Sequence, residues 1–210
     1  MSTSPMLKLT YFDSRGRAEP VRLALRIGGV PFEDHRLPFK EFLRIRAEGG
    51  LPLNQVPLLE VDGEVITQTP AMLRYAARLG GGDLIPSDPL AALRVDSALD
   101  CMNDTLSNAL MPSMFERDPA KKLEMRLAFA EGPMTRVFRY IEGMLERTGG
   151  PFVAGAALSI VDIVLMLQVE QIRRGGLDGL GEEHLAPYPR LLALADATMA
   201  DPRVAAAMAV

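Results

Sequence analysis

The chain changes character once, near residue 80. Before that point, short apolar runs alternate between the two-residue and the 3.6-residue period; after it, only the helical period remains. Residues 6–10 alternate as a strand. From Gly16 onward, Ala18, Val21, Leu25 and Gly28 fall on one side at helical spacing, with Arg17, Arg22 and Arg26 mostly elsewhere. A second strand is expected at 32–36 and a brief helix at 40–47. Two strands at 58–61 and 64–66 flank Asp62-Gly63, a pair that favours the hairpin turn matching strand twist. Thr69 then suits an N-cap and Pro70 the first position of a helix through residue 79. The order is β-α-β-α-β-β-α.

Glycines 80–82 and the prolines at 86 and 89 mark a linker. Beyond it, helices are expected at 90–115, 120–147, 159–173, 189–200 and 202–208, the second bent near Gly132-Pro133. Tyr75 and Tyr140 fall on apolar helical faces. The expected division is an α/β domain at 1–80, a linker at 81–88 and an all-helical domain at 89–210.

Composition narrows the chemistry. The 210 residues carry 23 basic and 27 acidic side chains, a net charge of −4, with no basic run that would track nucleic acid. No stretch of 18 apolar residues exists, so no membrane span is expected. The start has no basic flank with an apolar core, and a cytoplasmic location is expected. Cys101 is the single cysteine, so no intrachain disulfide or CxxC pair can form. His35 and His184 lack metal-motif spacing, and no metal is expected. Neither a GxxxxGK[ST] phosphate loop nor a GxGxxG fingerprint is present.

The remaining motifs each carry two readings. Val56-Pro57 precedes the hairpin; a cis bond there would turn backbone groups outward for an extended peptide, although only about 5–6% of X-Pro bonds are cis. Gln68 and Thr69 open a helix, whose free N–H groups suit a carboxylate, or Thr69 merely caps it. Tyr11 lies at the carboxyl end of the first strand, where open α/β sheets bind ligands, or it packs. Ser159 and Asp162 form a capping box for the apolar helix, with no histidine to make them a catalytic pair. The 12 methionines, Met102, Met111 and Met114 among them, fill core gaps or line an adaptable apolar pocket.

Taken in order, the segment from Tyr11 through Arg17 to Pro20, then Asn54 to Pro57, the Asp-Gly hairpin, Gln68 to Tyr75 and Gly155 to Asp162 resembles the cytosolic glutathione transferases. The tyrosine-type opening is most similar to the sigma class. The resemblance covers nearly the whole chain. It implies a thioredoxin-like first domain that binds glutathione, a cis bond at Val56-Pro57, and pairing of Val56 with the cysteinyl part of glutathione. Gln68 and Thr69 would hold the γ-glutamyl end, with Pro70 removing one N–H there. Phe42 and Arg46 stand where that class tends to place Trp and Lys near the glycyl end, beside Gln55. Asp100 matches an acidic residue that reaches across a homodimer to the glutathione amine. Leu51 and Leu53 occupy the region from which some classes plug a partner.

The activity implied is glutathione S-transfer for detoxification. Tyr11 donates a hydrogen bond that favours the thiolate, Arg17 adds positive charge, and the thiolate attacks a small apolar electrophile. Phe12, Arg17, Met102, Leu106 and Ser107 are the candidates for the electrophile pocket. The wholly aliphatic run at 163–167 favours a broad substrate range. Alternatives on the same scaffold are a glutathione-dependent isomerase, lyase or peroxidase, or a non-catalytic ligand-binding protein.

Overall fold

Strand β1 (Leu7–Tyr11) buries Leu7, Leu9 and Tyr11 and leaves Lys8 and Thr10 half-covered, the alternation expected of a pleated strand with one face on a core. The computed structural model describes residues 5–80 and 83–210. β1 is central in a mixed four-stranded sheet of order β2-β1-β3-β4. It runs parallel to β2 (Glu33–Arg36), with Tyr11 opposite Arg36, and antiparallel to β3 (Leu58–Val61), with Leu9 opposite Leu59. β4 (Glu64–Ile66) closes the hairpin through Asp62 and Gly63, both at positive φ (50° and 92°). That is the backbone an Asp-Gly turn supplies at little steric cost.

A parallel pair needs a crossover, and helix α1 (Glu19–Ile27) provides it between β1 and β2. A 3₁₀ turn at Gly16–Ala18 leads into it. α1 buries Val21, Leu23, Ala24 and Leu25, and packs against α3 (Thr69–Leu79), which buries Met72, Leu73, Ala76 and Ala77. Gly28 and Gly80 make this contact possible at its tight end: a Cβ on Gly28 would lie 2.5 Å from the Gly80 Cα. α2 (Phe39–Ala47) is more exposed and buries only Phe42.

Two expectations change here. The helical spacing puts Arg22 off the apolar face of α1, yet it is fully buried, because carboxylates and carbonyls surround it. Thr69 is the first helical residue of α3 and Pro70 the second; Gln68 is the N-cap, at φ 75°. The cap moves back one residue because the Gln68 carbonyl already accepts from the Ala71 and Met72 N–H groups.

The other unit is helical. α4 (Pro89–Cys101) is capped by the Asp88 carboxylate, which accepts from the Ala91 N–H at 2.8 Å. It continues through a π-helical turn, Met102–Ser107, into α5 (Asn108–Phe115). α6 (Pro119–Phe129), capped by Asp118, passes through a second π-helical turn, Ala130–Met134, into α7 (Thr135–Thr148). Pro133 sits in that turn; with no N–H to donate, it widens the helix where a bend was expected. α8 (Ile160–Arg173) buries Ile160, Val161, Ile163, Leu165, Met166, Val169 and Ile172, and α9 (Pro189–Ala200) packs on it. At about 2 kcal/mol per buried aliphatic side chain, α8 is the main apolar anchor of this unit. Tyr140, expected in the core, is 41% exposed, its hydroxyl 2.8 Å from that of Ser97.

The division differs from 1–80 and 89–210. One unit comprises 1–83 together with 206–210, and the other 84–205. The expected linker, 81–88, begins on Gly81 and Gly82, which lie outside the described residues. The end of α10 (Pro202–Met208) belongs with the sheet: Arg26 Nη1 donates to the Ala207 carbonyl at 3.3 Å, and Ala207 is buried.

Candidate functional site

Tyr11 ends β1, and its ring is buried to 9% exposure. The chain then turns through residues 12–15 and comes back to the phenol. The Arg17 N–H donates to Tyr11 Oη at 3.3 Å. This return is possible because residue 16 is glycine: φ is +42°, and a Cβ there would stand 2.6 Å from the Tyr11 oxygen. With one lone pair of the phenol oxygen taken by an N–H, the O–H proton is left to donate elsewhere.

Aromatic rings flank the phenol. Phe12 lies 5.1 Å from the Tyr11 ring and 5.1 Å, edge-on, from Phe42. Phe39 completes the cluster, 5.8 Å from Phe12, and is 62% exposed. The Arg46 guanidinium stands 6.0 Å from the Phe42 ring. Tyr11, Phe12, Arg17, Phe42 and Arg46 are therefore connected around the end of β1.

The Val56-Pro57 bond is cis, and both residues are buried just before β3. Gln55 precedes them in extended conformation, after Leu53 and Asn54 at positive φ. Leu51 is buried and Leu53 is 67% exposed. Thr69 opens α3 with its N–H and hydroxyl; Pro70 lacks an N–H, and those of Ala71 and Met72 are used by the Gln68 carbonyl.

The helical unit holds the remaining candidates. Asp100 is exposed on α4. Met102 and Leu106 are buried in the π-helical turn, and the Ser107 hydroxyl donates to the Met102 carbonyl at 3.1 Å. Cys101 is half-buried, and burial pushes its thiol up from the ordinary range, which disfavours the nucleophilic thiolate. Asp162 is fully buried and accepts from the Val153 N–H, the Ser159 N–H and the Ser159 hydroxyl at 2.9, 2.8 and 2.6 Å. Burial raises its carboxyl to about 6, the hydrogen bonds opposing the rise. Its partners are all backbone or capping groups, so its work is structural.

Among the described residues, no group of three His, Cys, Asp or Glu side chains is placed to hold a metal, and no helix is long and apolar enough to cross a membrane. Two residues of the site escape sequence reasoning. Gly16 reads as a turn residue, and only the close approach to Tyr11 gives it a role. Arg22 reads as a surface arginine; the nearby Glu19 and Asp34 were the available sign of a buried charge pair.

The family described as "Glutathione S-transferase, N-terminal domain" matches residues 7–78, and "Glutathione S-transferase, C-terminal domain" matches 103–209. Glutathione S-transferase 1 of Ascaris suum is 33% identical over 77% of this chain and 77% of its own. S-crystallin SL11 of Nototodarus sloanii is 31% identical over 96% and 95%. Prostaglandin synthase D of Nilaparvata lugens superposes with a TM-score of 0.81, at 28% identity, over 98% of both chains. With its phenol at the end of β1, its cis-proline before β3 and its helical second unit, the chain belongs to the glutathione S-transferase family.

Proposed function

We propose that this glutathione S-transferase is of the tyrosine type, most like the sigma class, and that Tyr11 stabilises the glutathione thiolate. The observation that carries this is the Arg17 N–H on the phenol oxygen, which leaves the O–H as an outward donor. Glutathione's thiol starts near the free-cysteine value of about 8.5, so little thiolate exists at neutral pH without such a donor. The thiol proton leaves to solvent. The sulfur lone pair then forms a bond to the electrophilic carbon, and the leaving group departs with its bonding electrons. Tyr11 donates throughout and need not act as a base.

In this reading the Val56 backbone pairs with the cysteinyl part and Pro57 fixes that turn. Gln68 and Thr69 hold the γ-glutamyl end, while Phe42, Arg46 and Gln55 attend the glycyl end. Phe42 offers no indole donor, so Arg46 carries that carboxylate. The electrophile falls to Phe12 and Arg17 and, from the helical unit, to Met102, Leu106 and Ser107. A cytoplasmic homodimer, with Asp100 reaching the partner's glutathione amine, completes the proposal.

The test is turnover of an aryl halide with glutathione by the Tyr11→Phe variant. Removing a hydrogen bond to a charged group, worth about 1.5–3 kcal/mol, lowers kcat about 10- to 100-fold. Unchanged turnover refutes the mechanism. A second reading on the same scaffold is a glutathione-dependent isomerase, and the likeness to a protein titled prostaglandin synthase D shows that the fold also carries a synthase. Product analysis separates the two, because an isomerase regenerates free glutathione and a conjugator consumes it.

A further inference from the structure

The turn that delivers the Arg17 N–H to Tyr11 has its carbonyls gathered on one buried side chain. Arg22, fully buried in α1, donates from Nη1 to the Ser14 carbonyl at 2.8 Å and the Arg15 carbonyl at 3.3 Å, and from Nη2 to the Phe12 carbonyl at 3.4 Å. Nε donates to Asp34 Oδ1 at 3.0 Å and Nη1 to Glu19 Oε2 at 3.2 Å. The guanidinium carbon stands 5.9 Å from the Tyr11 ring centroid.

Burying a cation costs several kcal/mol unless it is paired, and an apolar residue of similar volume often serves stability as well or better. The charge at this position therefore calls for a use beyond packing. The planar fork of a guanidinium can bridge a strand carboxylate, a helix carboxylate and three carbonyls together; an ammonium, a compact point charge, cannot span them. All three carbonyls belong to the turn between the phenol-bearing strand and Arg17.

We propose that Arg22 is a positioning residue for thiolate formation: by clamping the carbonyls of Phe12, Ser14 and Arg15 against β2 and α1, it holds the Arg17 N–H on Tyr11 Oη and so keeps the phenol proton directed outward. This rests on the role of Tyr11 proposed above. The other charged groups at the turn are Asp13 and Arg15 within it, Arg17 and Glu19 beside it, Arg26 from α1, and Asp34 and Arg36 from β2. Asp13 pairs with Arg36 at 3.5 Å, and the ring of His35 on β2 meets the Thr10 hydroxyl at 3.4 Å.

The experiment titrates enzyme-bound glutathione by the ultraviolet absorption of its thiolate, in the wild type, Arg22→Met and Tyr11→Phe, each checked for folding by circular dichroism. Tyr11→Phe raises the apparent thiol pKa. Arg22→Met is expected to raise it by about one unit, so that thiolate at neutral pH and kcat both fall about tenfold. The kcat recovers at higher pH, while KM for glutathione changes less. A folded Arg22→Met with a wild-type thiol pKa, alongside a shifted Tyr11→Phe, overturns the Arg22 role alone. No shift in Tyr11→Phe overturns the Tyr11 reading, and the Arg22 role with it. If Arg22→Met does not fold, Arg22→Lys is titrated instead, with a shift in the same direction expected. Failure of both variants to fold overturns the proposal, as that is how a purely structural arginine behaves.

Discussion

Replacing Asp162 by alanine tests how much one buried carboxyl holds the start of α8. The side chain accepts from two backbone N–H groups, Val153 and Ser159, and from the Ser159 hydroxyl. Alanine leaves both N–H groups buried without an acceptor, at about 1–3 kcal/mol each, and removes a helix cap worth about 1 kcal/mol. The expected loss is about 3–7 kcal/mol, a large share of the roughly 5–15 kcal/mol that holds a domain together. For a chain of this size it lowers Tm by about 10 °C, read by circular dichroism, with urea unfolding giving the free energy. A pH arm checks the electrostatics. Burial raises the folded-state carboxyl from 3.8 to about 6. Between those values the folded state binds more protons than the unfolded state, so this group's contribution is full below about 3.8 and is lost as pH rises through about 6. The stability gap between the wild type and Asp162→Asn should narrow by about 2–3 kcal/mol from pH 4 to pH 7. A loss under about 1 kcal/mol in Asp162→Ala, or a gap flat with pH, refutes the reasoning.

Gly16→Ala should lower kcat about tenfold or more, with a smaller change in KM for glutathione, because the added methyl meets the Tyr11 oxygen at 2.6 Å on a backbone at φ +42°. Steady-state kinetics checks this, and wild-type kcat would show that the turn relaxes freely. Cys101→Ser should leave turnover within about twofold of wild type, since the raised, half-buried thiol is poorly placed to act as nucleophile. A large loss of turnover would give the cysteine a part in the chemistry.

The features legible in the sequence are those set by local chemistry. The Asp62-Gly63 hairpin, the run Ser159 to Asp162 and the amphipathic stripes of α1 and α3 need only neighbours along the chain. The cis bond at Val56-Pro57 was legible only through the family resemblance that the surrounding motifs carry, since the dipeptide alone favours trans. The features not legible depend on distant partners. Arg22 keeps the periodicity of a surface residue, and its burial is settled by Asp34 on another strand. The π-helical turn at 102–107 hides inside an unbroken apolar pattern, because one extra residue in a turn shifts the face without interrupting it. The cap of α3 moved to Gln68 because its carbonyl already accepts from Ala71 and Met72, a bond no propensity scale registers.

The return of residues 206–210 to the sheet-bearing unit has a consequence during synthesis. A ribosome releases the sheet and its crossover helix early, but the residues that complete that unit emerge only after the entire helical unit has been translated. At about 5–20 residues per second, the interval is on the order of ten seconds. Throughout it the nascent sheet unit lacks the Ala207 carbonyl that receives Arg26. The unit made first is thus the unit finished last.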